Sequence, residues 1–246
     1  MIRYMKADFH RIFGRLSRNI ALLVLFAALG AFLYSVAEGT TPYELVETVT
    51  KMINIVGCPV FGLVEYGVVY GDDLKAKTMQ IAIGSGISRR KVVLTKWLEI
   101  MLLTALDLII FLGVAFAVSM LRGAVFSGEP LLDVLLLTVF ALLKLAGAVS
   151  VTGLLLFGTM NTGLSMILFI LSSTGILYFI VSGIITIGPL ARLHLDQYLF
   201  TSLLEAAKSR AVIGTFSIRH LAGALCYLLI FYLLTCFLFR KTELEF

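Results

Sequence analysis

Three ionisable side chains interrupt long apolar runs of this sequence, and their positions indicate a candidate functional site. Glu65, Asp107 and Lys144 each lie well inside such a run, where an unpaired charge is costly. Asp107 lies about 15 Å along its run if the run is helical, and Lys144 lies about 20 Å along the next run. In an antiparallel hairpin across about 30 Å of hydrocarbon, these two depths nearly coincide. We therefore predict an ion pair between Asp107 and Lys144, which Glu65 joins as a third charge.

This intramembrane charge group has two interpretations. It is either a polar patch along a substrate path or proton relay, or a structural clamp between neighbouring helices. We favour the clamp because each charge has an opposite charge available nearby. The three histidines lie in separate segments and form no metal motif, so the sequence predicts no metal site and no catalytic residue.

The elements that must position these charges are membrane helices. The sequence is 60% hydrophobic and only 14% charged, and its mean hydropathy is +1.01. Soluble domains are roughly half apolar and about a quarter charged, so this composition excludes them. The fold class predicted is an all-α integral membrane protein, a single transmembrane domain over residues 1–246. Its six predicted spans cover residues 20–37, 52–70, 97–120, 131–157, 164–187 and 220–239.

The first 18 residues precede these spans and predict an amphipathic helix. Apolar residues recur there at helical spacing, and basic residues fill much of the remainder. Such a helix is suited to lie in the lipid headgroup layer. At the other side, residues 188–219 are too apolar for a free loop and too polar to span. They predict one or two short helices on the extracytoplasmic surface.

Lysine and arginine set the orientation. With the N-terminus inside, thirteen basic residues fall in cytoplasmic segments and six in outer segments, which satisfies the positive-inside rule. An even number of spans then places both termini in the cytoplasm of a cell membrane. The segment over residues 38–51 is predicted to be an acidic outer loop.

The segment over residues 71–97 joins the second and third spans and has the most detailed local pattern. Asp72 and Asp73 predict the cap of a short helix, and Ser88 predicts the cap of the next. Gly84 and Gly86 predict a sharp turn between the two helices. The basic residues that follow are expected at the membrane surface, where Lys96 and Trp97 mark the interface. This pattern fits either an ordinary positive-inside loop or an ordered element that docks into a soluble partner.

At family level, the chain resembles the permease subunit of type-2 ATP-binding-cassette (ABC) exporters. The resemblance rests on the basic amphipathic helix, on a second span ending near Glu65-Tyr66, and on the run GISRRKVVLTK at residues 86–96. The short permeases of bacterial peptide and bacteriocin-immunity exporters are the most similar. In that family, the stretch between the second and third spans holds the coupling helix, which contacts the ATPase subunit.

The resemblance implies a coupling segment at about residues 74–90. Apolar side chains of this segment would contact the ATPase, and basic ones would be polar contacts or lipid anchors. The residues implied are Leu74, Lys75, Lys77, Met79, Ile81, Ile83, Ser88, Arg89 and Arg90.

The resemblance also implies the partners. The chain has no phosphate-binding loop of its own, so ATP and Mg²⁺ would bind to two copies of a separate ATPase subunit. A second permease, identical or homologous, would complete the pathway in the lipid bilayer, and no nucleic acid is involved. The cargo expected is a peptide, a lipid-like molecule or an amphipathic drug-like molecule.

Two other classes of function are alternatives to the ABC exporter. A secondary transporter would use Asp107, Lys144 and Glu65 for ion coupling, but the sequence shows no inverted repeat. An intramembrane enzyme would need paired histidines, a nucleophile motif or a carboxylate cluster, and the sequence has none of these.

Overall fold

The computed structural model describes residues 2–39, 41–75, 78–123, 128–215 and 217–242, and throughout these ranges the regular structure is helical, without strands. This confirms the all-α prediction. The α-helices are α1 Ile2–Phe13, α2 Leu16–Val36, α3 Pro42–Met52, α4 Cys58–Tyr66, α5 Asp72–Lys75, α6 Thr78–Gly84, α7 Arg89–Leu121, α8 Glu129–Thr159, α9 Thr162–Ser173, α10 Ile176–Ile185, α11 Phe200–Val212 and α12 Ile218–Lys241.

Several of these helices are long and apolar enough to cross a membrane. Among the described residues, five continuous helical stretches meet that description, and the bent pair α9–α10 raises the number to six if it forms one span. The five stretches are Leu16–Val36, Tyr43–Gly71, Arg89–Leu121, Pro130–Thr159 and Ile218–Lys241. A helix satisfies its own backbone hydrogen bonds, which is the condition for crossing hydrocarbon.

The second of these stretches begins earlier than the sequence predicted. Residues 38–51 were expected to form an outer loop, but α3 begins at Pro42. The Thr41 backbone N–H donates to the Glu44 carboxylate over 2.8 Å, and the Glu44 N–H donates back to the Thr41 hydroxyl. This capping box satisfies the first free N–H groups and starts the helix. Short π-helical turns at Ile53–Gly57 and Gly67–Gly71 continue it on either side of α4.

The fifth predicted span is not straight. α9 and α10 meet at an angle of 74°. Gly175 lies between them with a φ of +89°, a left-handed conformation that glycine adopts without a side-chain penalty. The break lies within the span predicted over residues 164–187, and the sequence pattern did not indicate it.

The segment after α10 is helical, as predicted. It contains 3₁₀ turns at Gly188–Leu193 and Leu195–Tyr198, and then α11. α11 packs against α12, where the Leu203 side chain closes on Gly223.

The chain divides into two compact units. The first unit comprises Met1–Asp72 and Leu98–Leu142, and the second comprises Asp73–Trp97 and Leu143–Phe246. The core of the first unit contains the buried rings of Phe61 and Phe111, whose centroids are 6.3 Å apart. In the second unit, the buried rings of Phe157 and Phe239 pack with centroids 4.7 Å apart.

Candidate functional site

The first unit buries three charged side chains together. The Arg18 Nε donates to the Glu65 Oε1 over 2.7 Å. The Arg18 Nη2 lies 3.7 Å from the Asp107 Oδ1. All three residues are at most 4% exposed, so water contributes little to their solvation. We call Arg18, Glu65 and Asp107 the charge cluster.

The charge cluster has more acceptor capacity than donor capacity. The Glu65 Oε2 and the Asp107 Oδ2 are buried and have no hydrogen-bond partner among the described residues. One guanidinium facing two carboxylates also leaves one negative charge in excess. Buried charges of this kind are costly unless they are paired and hydrogen-bonded, and they commonly mark functional positions inside membranes.

The joint between α1 and α2 positions the Arg18 guanidinium. Arg18 lies in the first turn of α2, and its guanidinium stacks 5.1 Å from the centroid of the Phe13 ring. The Asn19 side-chain amide donates to the Phe13 carbonyl over 2.9 Å, which holds the end of α1 against the start of α2. Arg18 therefore points into the first unit because the chain turns sharply before it.

The sequence identified two members of the charge cluster and missed the third. Glu65 and Asp107 lie together, as predicted. Arg18 was assigned to the basic face that orients the N-terminus, yet it is buried and supplies the cation for both carboxylates. The sequence feature that could have identified Arg18 is its position, because it is the last basic residue before the first apolar run. Lys144 belongs to the second unit, and its pairing with Asp107 stays a prediction.

The second unit also buries an ion pair. The Lys96 ammonium contacts the Asp73 carboxylate, and both side chains are fully buried. Asp73 was predicted as a helix cap, but it lies inside α5 and its carboxylate contacts the Lys96 ammonium instead. The prediction that Lys96 marks the membrane interface stays a prediction, and its side chain is buried within the protein.

Helix α6 lies within the predicted coupling segment and has one buried face and one exposed face. Met79 and Ala82 are three residues apart on the buried face. Ile81 is 67% exposed on the other face. Ile83 and Leu74 are half-buried.

Other residues of this segment lie around the turn. Ser88 and Arg90 are exposed. Gly86 makes the turn with a φ of +95°, and α7 starts at Arg89, as the pattern predicted. Lys77 and the Lys75 side chain lie outside the described residues.

The Arg89 side chain contacts the C-terminal end of α12. Its Nη1 donates to the carbonyl of Thr242 over 2.8 Å and also to that of Phe239. Its guanidinium lies 5.3 Å from the centroid of the Phe239 ring. The last carbonyls of a helix have no partner within it, so Arg89 caps the C-terminal end of α12. The start of α7 is thereby attached to the end of α12.

Lys144 lines a cavity of about 170 Å³ in the second unit, and apolar and aromatic side chains form most of its wall. Within the described ranges, no group of three or more His, Cys, Asp or Glu side chains is arranged to hold a metal ion. Comparisons of the chain with models of known protein families and with curated proteins find no match.

Proposed function

We propose that this chain is the membrane-spanning permease subunit of an ABC exporter. It would lie in the cell membrane with both termini in the cytoplasm, next to a second permease, and two copies of an ATPase subunit would bind ATP and Mg²⁺. The cargo would be a peptide, a lipid-like molecule or an amphipathic drug-like molecule. One observation supports this proposal above the others: α6 presents an exposed Ile81 on an element that is anchored at both ends.

The anchoring distinguishes α6 from an ordinary polar loop. Before α6, Asp73 is fixed by its pair with Lys96. After α6, Arg89 is fixed to the end of α12. A single exposed isoleucine is common on protein surfaces. On a helix whose other face is packed against the protein, however, it suits insertion into an apolar groove of a partner.

The same contacts would transmit a displacement of α6 to α7 and α12. A partner that displaces α6 acts on α7, which follows the turn at Gly86 directly. Because Arg89 joins α7 to the C-terminal end of α12, the displacement reaches both helices. The Tyr232 hydroxyl of α12 donates to the Arg90 carbonyl over 3.4 Å and adds a second link. Coupling of this kind needs a partner that changes shape, and an ATPase does so when it binds ATP.

The test is co-purification from mild detergent. Ile81→Asp combined with Arg90→Glu replaces an apolar contact and a basic contact with negative charges, both on exposed positions. We expect at least a tenfold loss of associated ATPase, with an unchanged melting temperature of the permease. Ile213→Asp is the matched control, because Ile213 is 77% exposed in the segment before α12. Equal ATPase recovery from both variants would refute the assignment of α6.

A second candidate, an ion-coupled secondary transporter, is favoured by the excess negative charge of the charge cluster. A proton or a cation on Glu65 or Asp107 would balance that charge, and its exchange would couple to movement. The test is reconstitution of the chain alone in liposomes under a pH gradient. Proton flux that Glu65→Gln abolishes, without any ATPase present, would support this candidate over the exporter.

A further inference from the structure

The cavity around Lys144 combines an apolar wall with one cationic end. α8, α9, α10 and α12 and the start of α11 enclose it within the second unit. Val151, Leu177, Val181 and Phe231 are among its apolar lining. Lys144 is the one charged side chain among the described residues that line it. Such a site accepts a molecule that is apolar along most of its length and anionic at one end.

Three features at the helix break favour an anion. The Lys144 ammonium lies 4.0 Å from the point where a Cβ on Gly175 would stand. α10 begins immediately after Gly175 without a side-chain cap, and a helix N-terminus attracts negative charge. The Ser172 hydroxyl lines the cavity and is buried without a hydrogen-bond partner among the described residues. An ammonium has three donors, so Lys144 can bind a ligand oxygen alongside protein atoms.

The tyrosines of the cavity contribute ring surface, because their hydroxyls are engaged elsewhere. The Tyr178 hydroxyl is 3.2 Å from the Ser202 hydroxyl, and the Tyr227 hydroxyl donates to the Tyr198 carbonyl over 2.9 Å. Phe200 lies directly against Gly147 of α8 and closes the same wall. Away from Lys144, the lining is therefore suited to hydrocarbon.

The volume limits how much of a ligand the cavity holds. At about 170 Å³ the cavity is close to the roughly 150 Å³ of a dry protein cavity that binds benzene. It therefore holds the part of one acyl chain nearest the head, about six carbon atoms, and the rest of the chain extends beyond it. Two chains of a phospholipid do not fit in it side by side.

We propose that this cavity binds a single-chain amphiphile with a carboxylate head, such as a long-chain fatty acid anion. The carboxylate binds the Lys144 ammonium, the Ser172 hydroxyl and the first N–H groups of α10. The chain next to the head lies between the rings of Tyr178 and Tyr227. This site does not depend on an ATPase and stands separately from the exporter proposal.

The experiment compares head groups on the purified full-length chain in a neutral detergent. Radiolabelled palmitate is bound and then displaced with unlabelled palmitate, 1-hexadecanol or phosphatidylglycerol. Palmitate and hexadecanol share a chain length and differ in head charge. We expect palmitate to bind at least tenfold more tightly than either competitor. Equal affinities for palmitate and hexadecanol would overturn the proposal, and so would stronger binding of phosphatidylglycerol.

Variants of the lining then locate the site. We expect Lys144→Met to lose the preference for palmitate, and Lys144→Arg to keep it. Val151→Phe fills the cavity and is expected to abolish binding of both single-chain molecules. A tenfold preference that persists in Lys144→Met, or binding unaffected by Val151→Phe, would place the ligand elsewhere. If Lys144→Met does not fold, the wild-type head-group comparison together with Val151→Phe still decides the outcome.

Discussion

The two compact units bury different cations against carboxyl groups. The first places the Arg18 guanidinium between two carboxyl groups, Glu65 and Asp107. The second places the Lys96 ammonium against the Asp73 carboxylate. Both groups are shielded from water, so the shape of the cation bears on what each can do. A planar guanidinium presents donors to two carboxyl groups at once, and one of these can respond to a proton, a cation or a movement, whereas an ammonium is a compact point charge that suits a fixed contact.

The largest expected effect comes from Arg18→Met. This change leaves two buried carboxyl groups without their cation, so we expect a loss of about 5 kcal/mol, the upper end for breaking a buried pair. Thermal unfolding of the purified chain in detergent measures it. Arg210→Met is the control, because Arg210 is exposed on α11. If Arg18→Met unfolds at the same temperature as Arg210→Met, the charge cluster does not hold the first unit together.

Asp73→Asn tests the Asp73–Lys96 pair and is expected to cost about 3 kcal/mol. The amide keeps the shape of the carboxylate but removes the negative charge that contacts the buried Lys96 ammonium. Combining it with Lys96→Met removes both charges and should recover most of the lost melting temperature. A double variant that is no more stable than Asp73→Asn would show that the pair is not the source of the stability.

The smallest effect is expected from Asp107→Asn, the same chemical change made in the charge cluster. It converts one cation and two carboxylates into a one-to-one pair of Arg18 and Glu65, which are 2.7 Å apart. We therefore expect the melting temperature to change little, by the equivalent of about 1 kcal/mol or less. A loss as large as that of Asp73→Asn would mean that Asp107 is needed for stability as much as Asp73 is.

Much of the fold could be predicted because hydrocarbon imposes one solution on an apolar chain. The six apolar runs correspond to helices, and the turn at Gly84 and Gly86 separates α6 from α7 as the glycines predicted. The early start of α3 could also have been predicted, since Thr41, Pro42 and Glu44 are a helix-start signal. The 74° break at Gly175 could not have been predicted, because glycine is also common in straight spans.

The candidate sites were less predictable, because they depend on which charges meet. Sequence alone places Glu65 and Asp107 in apolar runs, and it requires a counter-charge for each of them. It does not state which of several basic residues supplies that charge. Arg18 does so because the joint held by Phe13 and Asn19 turns it inward.

Composition and spacing alone predict that the chain consists largely of apolar helices and that a few charges must be buried with partners. These properties depend on residues that are close together in the chain. The folded structure is needed to learn that Arg18 joins the carboxyl groups, that Asp73 contacts Lys96, and that Lys144 lines a cavity. Those outcomes depend on the directions in which distant helices pack, and no local pattern encodes these directions.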